Sequence, residues 1–346
     1  MEKRKKSSFG RAIFGFFTLL LFLFLIAAAA GYFYYSNNLQ PATSGSREIE
    51  IDIPKGTGVK GIAAILESKG VIKDDMSFWI YCRLNNKDSK FQAGRYVLDS
   101  SLSVDEIINK LTSGQAKIET VKFTIPEGYE LRLIADKLSE QGLVDRAVFE
   151  EALKEDIYDY DFLSEIGDRE NKLEGYLFPD TYEVYKNVKS EDIINKMLSR
   201  FNQIYTEEFR SRARELNMTT DQVITLASII EREAKVEEER KLVSAVFHNR
   251  LKINMMLQSC ATVQYLLKER KDVLTYKDLE IDSPYNTYKY AGLPPGPIAS
   301  PGLKSIEAAL YPADVDYLYF VAKEDGSHIF SKTYQEHLNA QRKIKK

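Results

Sequence analysis

Apolar and polar positions change rhythm several times along the chain, and each rhythm predicts an element. Residues 12–35 are an unbroken uncharged run rich in Phe, Leu and Ala. This exceeds both the roughly 20 residues a helix needs to cross a bilayer and the roughly 7–15 apolar residues of a cleaved leader. It predicts a transmembrane helix at 12–35, with Tyr32, Tyr34 and Tyr35 at the interface where aromatic side chains collect. Residues 36–47 are polar, carry Pro41 and Gly45, and read as a linker. Period two then sets in, and EIEIDI at 48–53 reads as a strand. A turn at 54–56 and a helix at 58–69, closed by Gly70, follow.

The pattern recurs 72 positions later, from Ile53 to Ile125. Ile53-Pro54-x-Gly56 matches Ile125-Pro126-x-Gly128, Ile62-Ala63 matches Ile134-Ala135, and Leu66 and Gly70 match Leu138 and Gly142. Each copy runs on to an apolar helix and a short segment holding Gly and Tyr (Gly94 and Tyr96; Gly175 and Tyr176). A duplicated strand–helix–helix–strand unit is predicted. After the first copy, Ser103 and Glu106 form a capping box ahead of Ile107, Ile108 and Leu111, with Gly114 behind them. Past the second copy, helical periods dominate. In residues 220–234, Val223, Ile224, Ala227 and Ile230 follow the template in which i, i+3, i+4 and i+7 share a face. Thr219 and Gln222 supply its capping box.

Glu231 ends that apolar run and projects near the edge of the buried face. A carboxyl among apolar neighbours loses solvation, which favours its protonated form and suits it to acid catalysis near neutral pH. On the helix alone the plainer account is the stronger one: a surface residue flanking a core helix. Glu233 lies about 200° round the helix from Glu231, so the two are not a facing pair. The charge run at 237–241 reads as a solvated helix start. The segment 172–183 joins aromatics to Glu174, Asp180 and Glu183, either as a sugar platform or as a strand and turn filling a core. The loop at 292–302 holds four prolines and suits a stiff groove wall or an ordinary connection to the next helix.

Composition narrows the partners. The net charge is −3, but the first eleven residues carry +4, leaving −7 for the remainder. An acidic body argues against nucleic acid, which needs clustered Lys and Arg. The basic cluster before the apolar run places the N-terminus in the cytoplasm and the rest outside it. Two cysteines, Cys82 and Cys260, exclude a disulfide framework and fit no zinc spacing; unpaired thiols are expected. The histidines form no ligand set, and no nucleophile elbow, phosphate loop or dinucleotide fingerprint occurs. No metal or cofactor is expected.

The β-α-α-β layout and the Gly61-Ile62-Ala63 segment resemble LysM modules, which bind peptidoglycan glycan strands; a plain spacer is the alternative. A more specific set is LASIIEREA (226–234), VFHNRL (246–251), MLQS (256–259), TVQY (262–265), SPYNTY (283–288), GLPPGPI (292–298) and EGYLFPDTY (174–182). Together these resemble the YceG-like family of endolytic murein transglycosylases. The resemblance implies cleavage of the β-1,4 bond between N-acetylmuramic acid and N-acetylglucosamine to leave 1,6-anhydromuramyl ends, and puts the catalytic glutamate at Glu231. Lytic transglycosylases with a goose-lysozyme-like core carry a Glu, a Met-Gln segment and a Tyr-Asn pair in the same order, here Glu231, Met256-Leu257-Gln258 and Tyr285-Asn286. That implies sugar contacts for Gln258, Tyr285 and Asn286, with Glu174 on the groove wall. Cys260 departs from the aspartate often found there.

The expected protein is α+β: a basic tail (1–11), a transmembrane helix (12–35), a linker (36–47), a LysM-like domain (48–118) and a catalytic domain with a lysozyme-like helical core (119–346). Its expected partners are peptidoglycan strands, the membrane and, by resemblance, peptidoglycan synthases. Two alternatives stay open. A muramidase needs a second carboxylate about 5–10 Å from Glu231, with Glu174, Asp180 and Asp282 as candidates. A glycan-binding scaffold needs none.

Overall fold

The computed structural model describes residues 8–43, 45–87, 90–114, 119–186, 188–267 and 269–344; the basic cluster at 3–6 lies outside them. The chain is mixed α+β and divides into two compact units, Met1–Glu119 and Thr120–Lys346.

In the first unit, helix α1 (Ser8–Asn38) contains a stretch, Phe16–Asn38, long and apolar enough to cross a membrane. Residues 16–34 are exposed along it. Strand β1 (Glu48–Ile53), helices α2 (Val59–Ser68) and α3 (Asp75–Leu84), strand β2 (Gly94–Asp99) and helix α4 (Val104–Ser113) follow. β1 and β2 pair antiparallel, with Ile51 opposite Tyr96. Their alternation sends Ile51, Ile53, Tyr96 and Leu98 inward onto Ile62, Leu66, Phe78 and Leu111. The capping box on α4 is present, and Gly114 ends the helix in the left-handed conformation at φ 72°. The segment read as a linker is bonded to this unit: the Thr43 amide donates to the Ser100 carbonyl and the Val104 amide to the Leu39 carbonyl.

The second unit repeats the plan with strand β3 (Thr120–Thr124), helices α5 (Leu131–Glu140) and α6 (Arg146–Ala152) and strand β4 (Thr181–Tyr185), again antiparallel. Its returning strand starts later than the match at Leu173 predicts. Gly175 sits at φ +87°, and Pro297 packs where its Cβ would lie, so residues 173–178 turn instead of extending. Tyr176, Leu177, Phe178 and Tyr182 are buried there, which decides for the core-filling account of this segment.

The remaining elements are α7 (Ser190–Ile204), α8 (Glu207–Glu215), α9 (Thr220–Glu233), α10 (Arg240–Lys252), α11 (Cys260–Tyr265), α12 (Tyr276–Leu279), α13 (Leu303–Leu310), the antiparallel strands β5 (Tyr319–Ala322) and β6 (His328–Ser331), and α14 (Tyr334–Ile344). The periodicity of α9 predicts one buried face, yet the helix is buried all round from Val223 to Ile230. Helices α8, α10, α11 and α13 pack on it, so it is the central helix of the unit. Its polar residues are satisfied within the core: the Ser228 hydroxyl donates to the Thr225 carbonyl and accepts from the Ile298 amide.

Candidate active site

The last three residues of α9 fan out to three different segments. Glu231 turns to the start of α13. Its Oε2 accepts from the Gly302 amide (3.1 Å) and the Ser305 hydroxyl (2.7 Å), and its Oε1 accepts from Arg240 Nη2 (3.4 Å). Arg232 donates to the Gly128 carbonyl (2.8 Å). Glu233 takes the Ser259 hydroxyl and the Ala261 amide at the start of α11. The Glu231 side chain is 7% exposed. The N-terminal end of α13 gives it a favourable dipole as well as a donor.

The proline loop makes this possible. Pro297 seats on Gly175, Ile298 bonds Ser228, and Ser300 exchanges backbone bonds with Gly128 and Tyr129 before Gly302 reaches Glu231. The turn carrying Ile125-Pro126-x-Gly128 is thereby pinned over the end of α9. It brings a second carboxylate, Glu127, against Gly302 so closely that a Cβ there would collide with the carboxyl. Burial, and then the charge of Glu231, push the Glu127 carboxyl up from its ordinary value. Arg240 faces both acids. Its Nε and the Ser300 hydroxyl are buried without a partner among the described residues, leaving donors at the site uncommitted.

The other candidates fall into two groups. Gln258, exposed and in the left-handed conformation at φ 47°, bonds through its backbone N–H to the Thr287 carbonyl, beside Ser259 and its link to Glu233. Asn286 is fully buried; its amide donates to the Leu279 and Ile281 carbonyls and its Oδ1 accepts from the Tyr288 amide. Tyr285 is half-buried with its ring 5.2 Å from that of Tyr265, and the Tyr265 hydroxyl donates to Glu174. Gln258, Asn286 and Tyr285 thus share one seam, and Tyr285 and Glu174 meet through Tyr265. Among the described residues the hydrogen bonds and ion pair of Glu231 go to Gly302, Ser305 and Arg240 and to none of the four. Asp180 pairs with Arg200, and Asp282 with Lys289 and Tyr290, while the carboxylate that packs against Gly302, the residue whose amide bonds Glu231, is Glu127.

Comparison with known proteins decides the family. The model of the YceG-like family matches residues 51–343. The chain belongs to the YceG-like family. It is 40% identical over 318 residues to an endolytic murein transglycosylase of Bacillus subtilis, covering 88% of this chain and 87% of that one. It is 32% identical to an endolytic murein transglycosylase of Streptococcus pneumoniae serotype 2, spanning 87% of this chain but 59% of that protein's length. A crystal structure of a putative yceG-like protein from Listeria monocytogenes superposes with a TM-score of 0.57 at 38% identity, over 84% of this chain and 98% of that one.

Two groups at the site of this YceG-like protein escape the sequence patterns. Glu127 has one local signal: it replaces Lys55 of the first copy in an otherwise matching turn. Arg240 sits in the charge run read as solvated. Its neighbour Glu239 is likewise engaged, accepting from the backbone and ring of His328. Cys82 and Cys260 are not joined in a disulfide; Cys260 bonds the Tyr288 hydroxyl at 3.0 Å, and burial pushes its thiol up.

Glu174 borders a cavity of about 530 Å³ whose lining includes Arg132, Lys154, Asn171 and Tyr265. Burial pushes its carboxyl up to about 8, against the Leu131 amide that bonds it. The folded state therefore keeps a proton that the unfolded chain releases near the ordinary glutamate value of about 4.3. Stability is full below that value, falls as pH rises towards about 8, and stays reduced above it. The slope is on the order of 1 kcal/mol per pH unit. Glu174→Gln removes it, so the variant gains on the parent between pH 5 and pH 8.5 in denaturant midpoints. A difference that does not change with pH would contradict this.

Proposed function

We propose that this YceG-like protein is an endolytic murein transglycosylase in which Glu231 serves as acid and then base. The carrying observation is the setting of Glu231: a carboxylate, almost wholly buried, with a backbone amide, a hydroxyl and a guanidinium on its oxygens. Its proton passes to the glycosidic oxygen as the bond from the muramyl C1 breaks. The muramyl C6 oxygen then attacks C1, and its proton returns to the Glu231 carboxylate as the 1,6-anhydro ring closes. No water is consumed, and the glutamate ends as it began. The relatives named as endolytic murein transglycosylases support the assignment.

The seam of Gln258 and Tyr285, with Glu174 behind Tyr265, forms the sugar-binding wall, while Asn286 shapes the loop that presents it. The second unit is taken as the lysozyme-like catalytic domain and the first as a LysM-like strand-binding or spacing domain. The segment Phe16–Asn38 also has the length and composition of a leader. The anchor reading is supported by the end of α1, where Tyr34 donates to Asp74 and Asn37 accepts from Lys73. With the N-terminus cytoplasmic, the enzyme cuts strands outside the membrane beside the peptidoglycan synthases and sets strand length.

Glu127 favours a second reading, a muramidase with paired carboxylates. Product ends separate the two. Full-length protein acting on glycan strands is expected to leave 1,6-anhydromuramyl ends by mass spectrometry; reducing muramyl ends in their place would sink the transglycosylase. Glu127→Gln adds a second discriminator. Transglycosylation keeps anhydro products and loses less than about tenfold in rate, whereas a paired mechanism loses roughly 10²-fold or more.

A further inference from the structure

The first unit carries an apolar surface that the glycan chemistry does not use. Helix α3 buries Ser77, Phe78 and Cys82. It turns Met76 (52% exposed) and Leu84 (71%) outward with half-buried Ile80 between them, spaced i, i+4, i+8. Beside this stripe, Trp79 lies between Lys60 Nζ at 4.8 Å and the Arg83 guanidinium at 5.5 Å from its ring centre. A Trp flanked by cations next to an apolar stripe matches an interfacial helix, whose apolar face enters the boundary of the acyl chains while basic groups meet phosphates.

What identifies the occupant is continuity with α1. The hydroxyl of Tyr34 donates to Asp74, the N-cap of α3, at 3.4 Å. Lys73 Nζ donates to the Asn37 carbonyl at 3.2 Å, and Tyr35 lies beside Cys82 and Tyr81. α3 is thereby fixed at the level where the apolar run of α1 ends, the level of the headgroups if α1 crosses the bilayer. A ten-residue helix binds lipid weakly by itself; tethering to a spanning helix makes the contact intramolecular.

We propose that α3 lies in the headgroup layer of the bilayer that α1 crosses, with Met76, Ile80 and Leu84 against the acyl boundary and Lys60 and Arg83 on lipid phosphates. This rests on the anchor reading of α1. It seats the first unit on the membrane surface instead of leaving it at the end of a loose tether.

Trp79 is the chain's single tryptophan, so its emission reports on this helix alone. The test uses full-length protein reconstituted in vesicles of phosphatidylcholine and phosphatidylglycerol, with nitroxide-labelled lipid carrying the spin either at the headgroup or deep in the acyl chain. The headgroup nitroxide is expected to remove most of the Trp79 emission and the deep nitroxide much less. The pair Met76→Glu with Leu84→Glu, both at exposed positions, is expected to restore emission. Protein that floats with the vesicles but is quenched by neither label overturns the proposal and leaves the anchor standing. Protein that does not float overturns the anchor reading and this inference with it. Emission indifferent to lipid but altered by added glycan strands makes the stripe a sugar platform and also overturns it.

Discussion

Glu231→Gln is expected to reduce the release of anhydromuramyl products by roughly 10³-fold, within the range a positioned acid–base group contributes. The amide keeps an oxygen for the Gly302 amide and the Ser305 hydroxyl, so the start of α13 stays seated. What it loses is the transferable proton and the negative charge facing Arg240. Glu233 cannot take over, because it is committed to Ser259 and Ala261. The measurement is product release from purified glycan strands by parent and variant, each with its thermal unfolding recorded. A folded variant keeping a tenth of the parental rate would remove Glu231 from the mechanism. A folded variant inactive alongside an equally inactive parent would favour the glycan-binding scaffold.

The contrast between Glu231 and its neighbours shows what local patterns carry. The period of residues 220–234 and the capping pair Thr219 and Gln222 mark α9, because helix ends and apolar spacing are written within one turn of the residues they concern. The duplicated unit is legible for the same reason: Ile53 and Ile125 open matching turns after matching strands. Glu127 and Arg240 are not legible as site residues. Glu127 meets Glu231 only after the proline loop docks on α9 and the Gly128 turn docks on the loop, contacts between segments far apart in the chain, and Arg240 meets it only once the turn between α9 and α10 folds the chain back. The burial of α9 on every side is hidden likewise, since Thr225 and Ser228 look like a polar face until the Ile298 amide of the loop bonds the Ser228 hydroxyl. Asn286 shows the converse. A residue type suited to sugar stands in the motif, but its amide is already bonded to the loop's own backbone.

Arg169→Ala is expected to lower the unfolding free energy of the protein by about 3–5 kcal/mol, the cost of leaving a buried charge without its partner. Arg169 is 3% exposed and Asp221 11%, and Arg169 Nη1 lies 2.9 and 2.7 Å from the two Asp221 oxygens. Tyr176 donates to the same carboxylate at 2.8 Å. The guanidinium also bonds the carbonyls of Lys172 and Pro295 and fills the space over Gly296. It therefore joins the first turn of α9, the buried 173–178 turn and the proline loop. Truncation strands the Asp221 charge in the core with only the Tyr176 hydroxyl left on it, and loosens the loop whose far end holds Glu231. Product release should fall along with stability. Arg169→Met combined with Asp221→Leu tests the cause: with no charge left to strand, most of the lost stability is expected to return. Denaturant unfolding of the two singles and the double measures the coupling. A loss below about 1 kcal/mol for Arg169→Ala, the scale of an exposed pair, would show that the link is not needed, and the proline loop would then be held by Pro297 on Gly175 and Ile298 on Ser228.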